Sequence, residues 1–237
     1  MKTNKFLALG FALCLSGLAQ AQTVDELVDK HVAALGGMDK LNNVKTLYIE
    51  RSMAINGMEI PSKSTIVVGK SMRTETSVMG NSMIQVVDGS TGWMVRPAMM
   101  GGTGDPEDMP ADQLKSSKGQ LDPFGALVNY KAKENKIELV GKEKVDGKDA
   151  YHLKVTTKEG QTVDEFLDAT TYLVNKVKMA MNGQTAEISF SDYKDKDGIK
   201  FANTMEMASP QGALTFSTEK ITVNGPVDES IFKKPAK

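Results

Sequence analysis

Two histidines, 30 acidic residues and a surplus of methionine are the parts of this 237-residue chain that invite a chemical reading. His31 lies in a helical pattern, three residues after Val28 and four before Leu35, where an imidazole packs more readily than it ligates. His152 alternates with Tyr151, Leu153 and Val155, so it points away from that apolar row. The two are far apart in sequence, and neither has acidic companions at metal-ligand spacing. Serines are numerous, yet no Gly-x-Ser-x-Gly elbow occurs. Gly101-Gly102-Thr103-Gly104 lacks both a lysine and the strand–helix setting of a phosphate loop, and reads as a hinge. Asp105, Glu107, Asp108 and Asp112 lack the ligand order of a calcium loop. They read as a solvated face with acids near a helix start. No catalytic residue, metal or cofactor is expected, and the chain is not expected to be an enzyme.

Methionine occurs 15 times. Met53, Met58, Met72, Met79, Met83, Met94, Met99, Met100 and Met109 crowd the first half. Met179 with Met181, and Met205 with Met207, stand at i, i+2 on two strand patterns, so each pair shares a sheet face. Methionine is flexible and polarizable and adapts to apolar surfaces of variable shape. Core packing and the lining of a ligand site both fit. The single tryptophan, Trp93, follows an Asp88-Gly89 turn and belongs on one face of a short strand.

The elements that must position these residues follow from period and punctuation. Thr23 to Leu35 is helical: Thr23 and Glu26 form a capping box, Val24, Leu27, Val28, Val32 and Leu35 form a stripe, and Gly36-Gly37 ends it. Met38–Leu41 adds a turn. Period two then gives strands at Val44–Ile55, Glu59–Lys70, Ser71–Val78, Ser82–Val87 and Thr91–Arg96, with Asn56-Gly57 and Met79-Gly80-Asn81 as hairpin turns. Met99–Gly104 is a break, and Pro106–Lys118 reads as polar and mostly helical. Asp122-Pro123 opens a short helix through Tyr130 that carries Phe124, Leu127 and Val128. This long interruption of a sheet protein has the character of a binding or gating element.

Strands resume at Ile137–Val145, Ala150–Thr156, Thr162–Leu167, Leu173–Ala180, Thr185–Tyr193, Phe201–Met207 and Ala213–Val223. Asp146-Gly147, Glu159-Gly160, Asn182-Gly183 and Asp197-Gly198 mark their turns. The tail Pro226–Pro235 brings Ile231 and Phe232 back toward the sheet. The expectation is a mainly β chain with a few helices: one antiparallel sheet of about 11–12 strands, covered on one face by the segments at 23–41 and 106–130.

Residues 1–21 read as a cleaved export signal: Lys2 and Lys5, the apolar run Phe6–Leu18, and Ala19-Gln20-Ala21 as the cleavage site. Cys14, the single cysteine, falls inside it, so the mature chain from Gln22 has no thiol. Without Lys2 and Lys5, 27 basic residues remain against 30 acidic ones, a formal charge of −3. Only Arg51, Arg73 and Arg96 are arginines, and no nucleic-acid-binding patch is expected.

The order of several motifs resembles the LolA/LolB-like family of periplasmic outer-membrane lipoprotein carriers. They are Leu41-Asn42-Asn43-Val44-Lys45-Thr46 at the entry to the first strand, and Asp88-Gly89 followed by Trp93 and Pro97. Asp122-Pro123-Phe124, Phe166-Leu167-Asp168, Ile188-Ser189-Phe190-Ser191-Asp192-Tyr193, Phe232 and Pro235 complete the series. The resemblance spans residues 22–237 and implies one domain: an unclosed antiparallel barrel with a helical lid and an apolar cavity for acyl chains. It implies a periplasmic monomer that takes an acylated lipoprotein or lipid from an inner-membrane donor to an outer-membrane acceptor. Val67, Met83, Trp93, Met94, Phe124, Met179 and Met205 are then the cavity candidates. Where the family has an Arg-Pro pair that controls the lid, this chain reads Gly69-Lys70-Ser71-Met72-Arg73, which makes Lys70 and Arg73 the latch candidates. A lipid- or partner-binding sensor on the same scaffold is the alternative.

Overall fold

The computed structural model describes residues 22–55, 57–181, 184–209 and 212–235. The leader at 1–21 with Cys14, the turn residue Asn56 and the Asn182-Gly183 turn lie outside the described residues.

Helix α1 (Val24–Leu35) starts as its capping box dictates. The Glu26 amide donates to Thr23 Oγ1 at 3.2 Å, and the Thr23 amide donates to Glu26 Oε2 at 3.0 Å. Leu27, Val28, His31, Val32 and Leu35 are its buried face, each fully buried Leu or Val contributing about 1.5–3 kcal/mol. Gly36 stops the helix at φ 131°, and a Cβ there would sit 2.2 Å from the Gly198 carbonyl oxygen. Only glycine allows that approach. Helix α2 (Met38–Asn42) follows at once.

The strands are β1 (Thr46–Ile55), β2 (Met58–Val67), β3 (Ser71–Val78), β4 (Asn81–Asp88), β5 (Thr91–Val95) and β6 (Pro106–Asp108). After α3 (Ala111–Ser117) come β7 (Lys136–Val145), β8 (Lys148–Thr156), β9 (Thr162–Asp168), β10 (Val174–Met181), β11 (Gln184–Lys196), β12 (Ile199–Ser209) and β13 (Gly212–Val223). They form one antiparallel, unclosed sheet in the order β6-β5-β4-β3-β2-β1-β13-β12-β11-β10-β9-β8-β7. Two meanders of hairpins thus meet at a single seam, where β1 pairs with β13. Asp146-Gly147 and Asp197-Gly198 both have positive φ throughout, the type I′ geometry whose twist suits adjoining strands.

Since β6 and β7 are opposite edges, the chain between them must cross the whole sheet. It does so over one face, here called inner, and α1 packs on the same face. Leu121, Leu127 and Val128 of the crossover are buried there with Leu27, Leu47, Ile66, Met72 and Leu153. The tail packs on the other, outer face, where Phe232 meets Val86 and Trp93.

Two expectations are corrected. Pro106–Lys118 is helical only from Ala111, as an α-helix to Ser117 that runs on into a 3-10 turn at Lys118–Leu121; Pro106–Asp108 pairs with Trp93–Val95 as a short edge strand, which raises the strand count to 13. Glu107 binds Arg96, the residue that follows the neighbouring strand, at 2.6 Å, and Pro106 suits an edge. The segment 122–130 is a chain of turns, not a helix. Asp122 Oδ1 does accept from the Phe124 amide at 3.3 Å, but Gly125 (φ 76°) and Asn129 (φ 57°) are left-handed. The carbonyls of Gly125 and Ala126 accept from Lys133 Nζ and Asn135 Nδ2 at 2.8 and 2.9 Å instead of from a helical ladder.

Candidate functional site

Strand register assigns the inner face residue by residue. On β1 it holds Leu47, Ile49, Arg51 and Met53, since side chains alternate. Leu47 and Ile49 are buried under the helical layer. Farther along, an unbroken row of direct cross-strand partners runs Ile60–Met53–Phe216–Met205–Phe190 over β2, β1, β13, β12 and β11. Leu214, Met207 and Ile188 form a parallel row one pair on. All are half-buried, and among the described residues none of the row packs against the buried cluster beneath α1 and the crossover. Five strands at about 4.8 Å spacing make the row about 19 Å long, a length that suits an extended acyl chain. Met58, Met79, Met99 and Met100 at the nearby hairpin tips are the exposed large apolar residues of the same end, Met79 at 71%.

Between this row and the helix-covered core runs a polar one. Thr76, Ser62, Arg51 and Thr218 are successive partners over β3, β2, β1 and β13. Arg51 Nε donates to Thr218 Oγ1 at 3.4 Å. Burial holds the Arg51 guanidinium below its usual pKa, and among the described residues no carboxylate offsets that. A guanidinium nevertheless stays protonated at any physiological pH. At the covered end, Glu165 on β9 is buried and its carboxyl is pushed up to about 7. Burial is the main cause; the Lys133 charge and the Ala126 amide pull the other way, and Asp122 adds to the rise. Burial, then the Glu165 charge, also raises the nearby Tyr193 phenol, which donates to the Val174 carbonyl at 2.8 Å.

No protein-family model matches the chain, and no curated protein matches it in sequence. Solved structures do match in three dimensions. A DUF1329 family protein from Desulfovibrio piger ATCC 29098 superposes with TM-score 0.56 at 18% identity, over 89% of this chain and 97% of its own. A domain from Vibrio parahaemolyticus, described as an outer membrane lipoprotein-sorting protein domain, gives TM-score 0.56 at 16% identity over 90% and 98%. A LolA superfamily protein from Nitrosomonas europaea gives TM-score 0.60 at 12% identity over 90% and 99%. The fold is LolA-like. At these identities the likeness is one of architecture, and the chemistry must be read from this chain's own residues.

Within the LolA-like sheet, Met83, Met179 and Met205 stand on the inner face, half-buried. Met94 is there too, but buried with Met109 beside Leu114 of α3. Gln85 Nε2 on the same face donates to Ser117 Oγ at 2.7 Å and fixes α3 over β4. Phe124 lies in the crossover, 6.2 Å from the Phe201 ring, and lines a cavity of about 280 Å³ with Leu41, Val68, Leu121 and Lys133. Trp93 and Val67 are on the outer face, away from the apolar row. Trp93 is 5% exposed, and its indole N–H donates to the Phe232 carbonyl at 2.8 Å. Lys70 Nζ binds Glu229 of the tail at 2.6 Å, and Arg73 lies over the Trp93 ring, 5.8 Å from its centroid. Arg73 also pairs with Glu75 at 3.2 Å, so among the described residues Lys70 is tied to the tail and Arg73 to its neighbours on the outer face. His31 is buried, its Nδ1 at 2.8 Å from the Tyr172 carbonyl, which only an N–H can satisfy. His152 is on the outer face, stacked on Phe166, with Glu143 and Asp164 each 2.9 Å from a ring nitrogen. Among the described residues no three His, Cys, Asp or Glu side chains are grouped to hold a metal.

Arg51, Phe190 and Phe216 are the inner-face residues that reading by residue type passed over. The signal for Arg51 is its place in the alternation Leu47, Ile49, Arg51, Met53: an arginine in an otherwise apolar row.

Proposed function

We propose that this protein is a periplasmic carrier that shelters the acyl chains of lipoproteins on the apolar row of its inner face. The observation that carries the reading is the unbroken Ile60–Met53–Phe216–Met205–Phe190 register outside the helix-covered core. An apolar strip of that kind marks a binding surface. A covered acyl chain gains about 0.8 kcal/mol per buried methylene, so a chain along the row recovers roughly 10 kcal/mol before the cost of association. The export signal and the described role of the Vibrio parahaemolyticus neighbour support the periplasm and lipoprotein cargo. Transfer from an inner-membrane donor to an outer-membrane acceptor follows from the same reading. No bond is made or broken; shielding is the whole function.

A second reading, a lipid- or partner-binding sensor, is favoured by one observation: among the described residues Lys70 pairs with Glu229 of the tail, and Arg73 pairs with Glu75 and lies over the Trp93 ring, which leaves both latch candidates engaged away from α3. Native purification separates the two. A carrier releases acylated peptides on denaturation, in amounts comparable to the protein by mass spectrometry. Recovery of one membrane partner without acylated peptide refutes the carrier reading.

A further inference from the structure

Arg51 is the chemical oddity of the inner face. It sits one pair along β1 from Met53, at the border between the apolar row and the core. Its direct partners across the sheet are Ser62 and Thr218, with Thr76 beyond Ser62. Of the charged residues on these strands, Glu50, Glu59, Lys63, Arg73, Glu75 and Lys220 alternate to the outer face, and Glu219, next to Thr218 at the register shift between β1 and β13, is exposed. Among the described residues its one hydrogen bond is the long contact to Thr218, which leaves most of its five donors free. A partly desolvated guanidinium without a carboxylate costs stability. It is offset when an anion arrives, and the fork of donors fits a carboxylate or phosphate.

We infer that the inner face reads the anionic head of its amphiphile: Arg51, with the Ser62, Thr76 and Thr218 hydroxyls, binds a carboxylate or phosphate whose hydrocarbon chain lies along the Met53–Phe216–Met205 row. The inference rests on the acyl-binding reading above and narrows it to acyl compounds with a free anionic group. The wide, polarizable strip accepts chains of varied shape, while the Arg51 charge fixes which end lies at β1. Selectivity thus resides in the head group and its position.

Calorimetric titration of the intact protein with dodecanoate, dodecyl phosphate, methyl dodecanoate and an uncharged acylated lipopeptide tests this. Expected is roughly tenfold to hundredfold tighter binding of an anion than of the methyl ester. Dodecanoate and dodecyl phosphate are compared directly to distinguish a fatty-acid head from a phosphate head. Arg51→Met should bring the anions down to the ester's affinity while leaving the ester unchanged; Arg51→Lys should retain a smaller preference. Equal binding of ester and acid by the wild type, a preference that survives Arg51→Met, or an equal loss of all ligands in that variant overturns the inference. Tighter binding of the uncharged lipopeptide than of either anion also overturns it and leaves the carrier reading standing. If nothing binds, both fall. The wild-type comparison needs no variant, so a misfolded substitution cannot mask the result.

Discussion

Replacing Glu165 by glutamine should stabilise this protein at alkaline pH and leave it nearly unchanged in acid. The carboxyl is 6% exposed between Leu153 and Val177 in the register of β8, β9 and β10. Its pKa rises from the ordinary 4.5 to about 7. That gap corresponds to about 3 kcal/mol, at roughly 1.4 kcal/mol per unit. The sign follows from proton counts. Below 4.5 the group is protonated whether folded or not, and its contribution is complete. As pH rises toward 7 the unfolded chain has already ionised while the folded one still holds its proton, so stability declines. Above about 7 the folded state carries a buried negative charge. Glutamine is neutral throughout and can still accept from the Ala126 amide. Urea unfolding followed by circular dichroism at pH 4.5, 6 and 8.5 should show a variant-minus-wild-type difference that grows from near zero to about 3 kcal/mol. In a chain of this size that is roughly 6–12 °C in Tm. The buried His31 titrates in both proteins and cancels. A difference that does not change with pH, or a variant less stable at pH 8.5, would refute the argument.

His31 works in the opposite direction. Burial holds its imidazole below the ordinary 6.5, against the smaller effect of the Tyr172 carbonyl. Its contribution is therefore present above 6.5 and lost as pH falls, so His31→Leu should flatten the acid limb of the stability profile while costing about 1 kcal/mol at neutral pH, both read by urea unfolding. Phe232→Ala should cost about 3–5 kcal/mol and shift Trp93 emission to the red as the tail loosens; an unshifted spectrum would mean that the tail does not shield the indole. Binding of an acyl ligand, by contrast, should leave Trp93 emission unchanged, because that ring faces the tail. Met205→Lys places a charge in the middle of the apolar row. It should abolish acyl binding in titration while changing Tm by only a few degrees, since the residue is half-buried.

Local features were legible in the chain because their causes are local. The Thr23–Glu26 capping box, the Asp-Gly turns and the period-two strands need only their near neighbours. The strand at Pro106–Asp108 was not legible: three residues carry no period, and their partner strand alone makes them a strand. The helix expected after Asp122 failed for a related reason. Asp-Pro is a sound start signal, but Lys133 and Asn135, several residues away, take the carbonyls a helix would need. The choice of face is the least local feature of the fold. Alternation separates Trp93 from Met94, yet it cannot say which of them turns inward. That was decided by Phe232, more than a hundred residues along the chain, closing over the indole. Arg51 could have been found by its row.

The seam between β1 and β13 has a consequence for assembly. Every other strand pairs with a neighbour made shortly before or after it, so each half can zip as it appears. The seam joins strands separated by more than 150 residues and is closed at the full entropic cost of a long loop. A chain that emerges N-terminus first must therefore wait with the β1 edge bare, a template for the wrong partner, until almost its last residues are available. Quality control of this molecule in the cell comes down to who guards that one edge, and for how long.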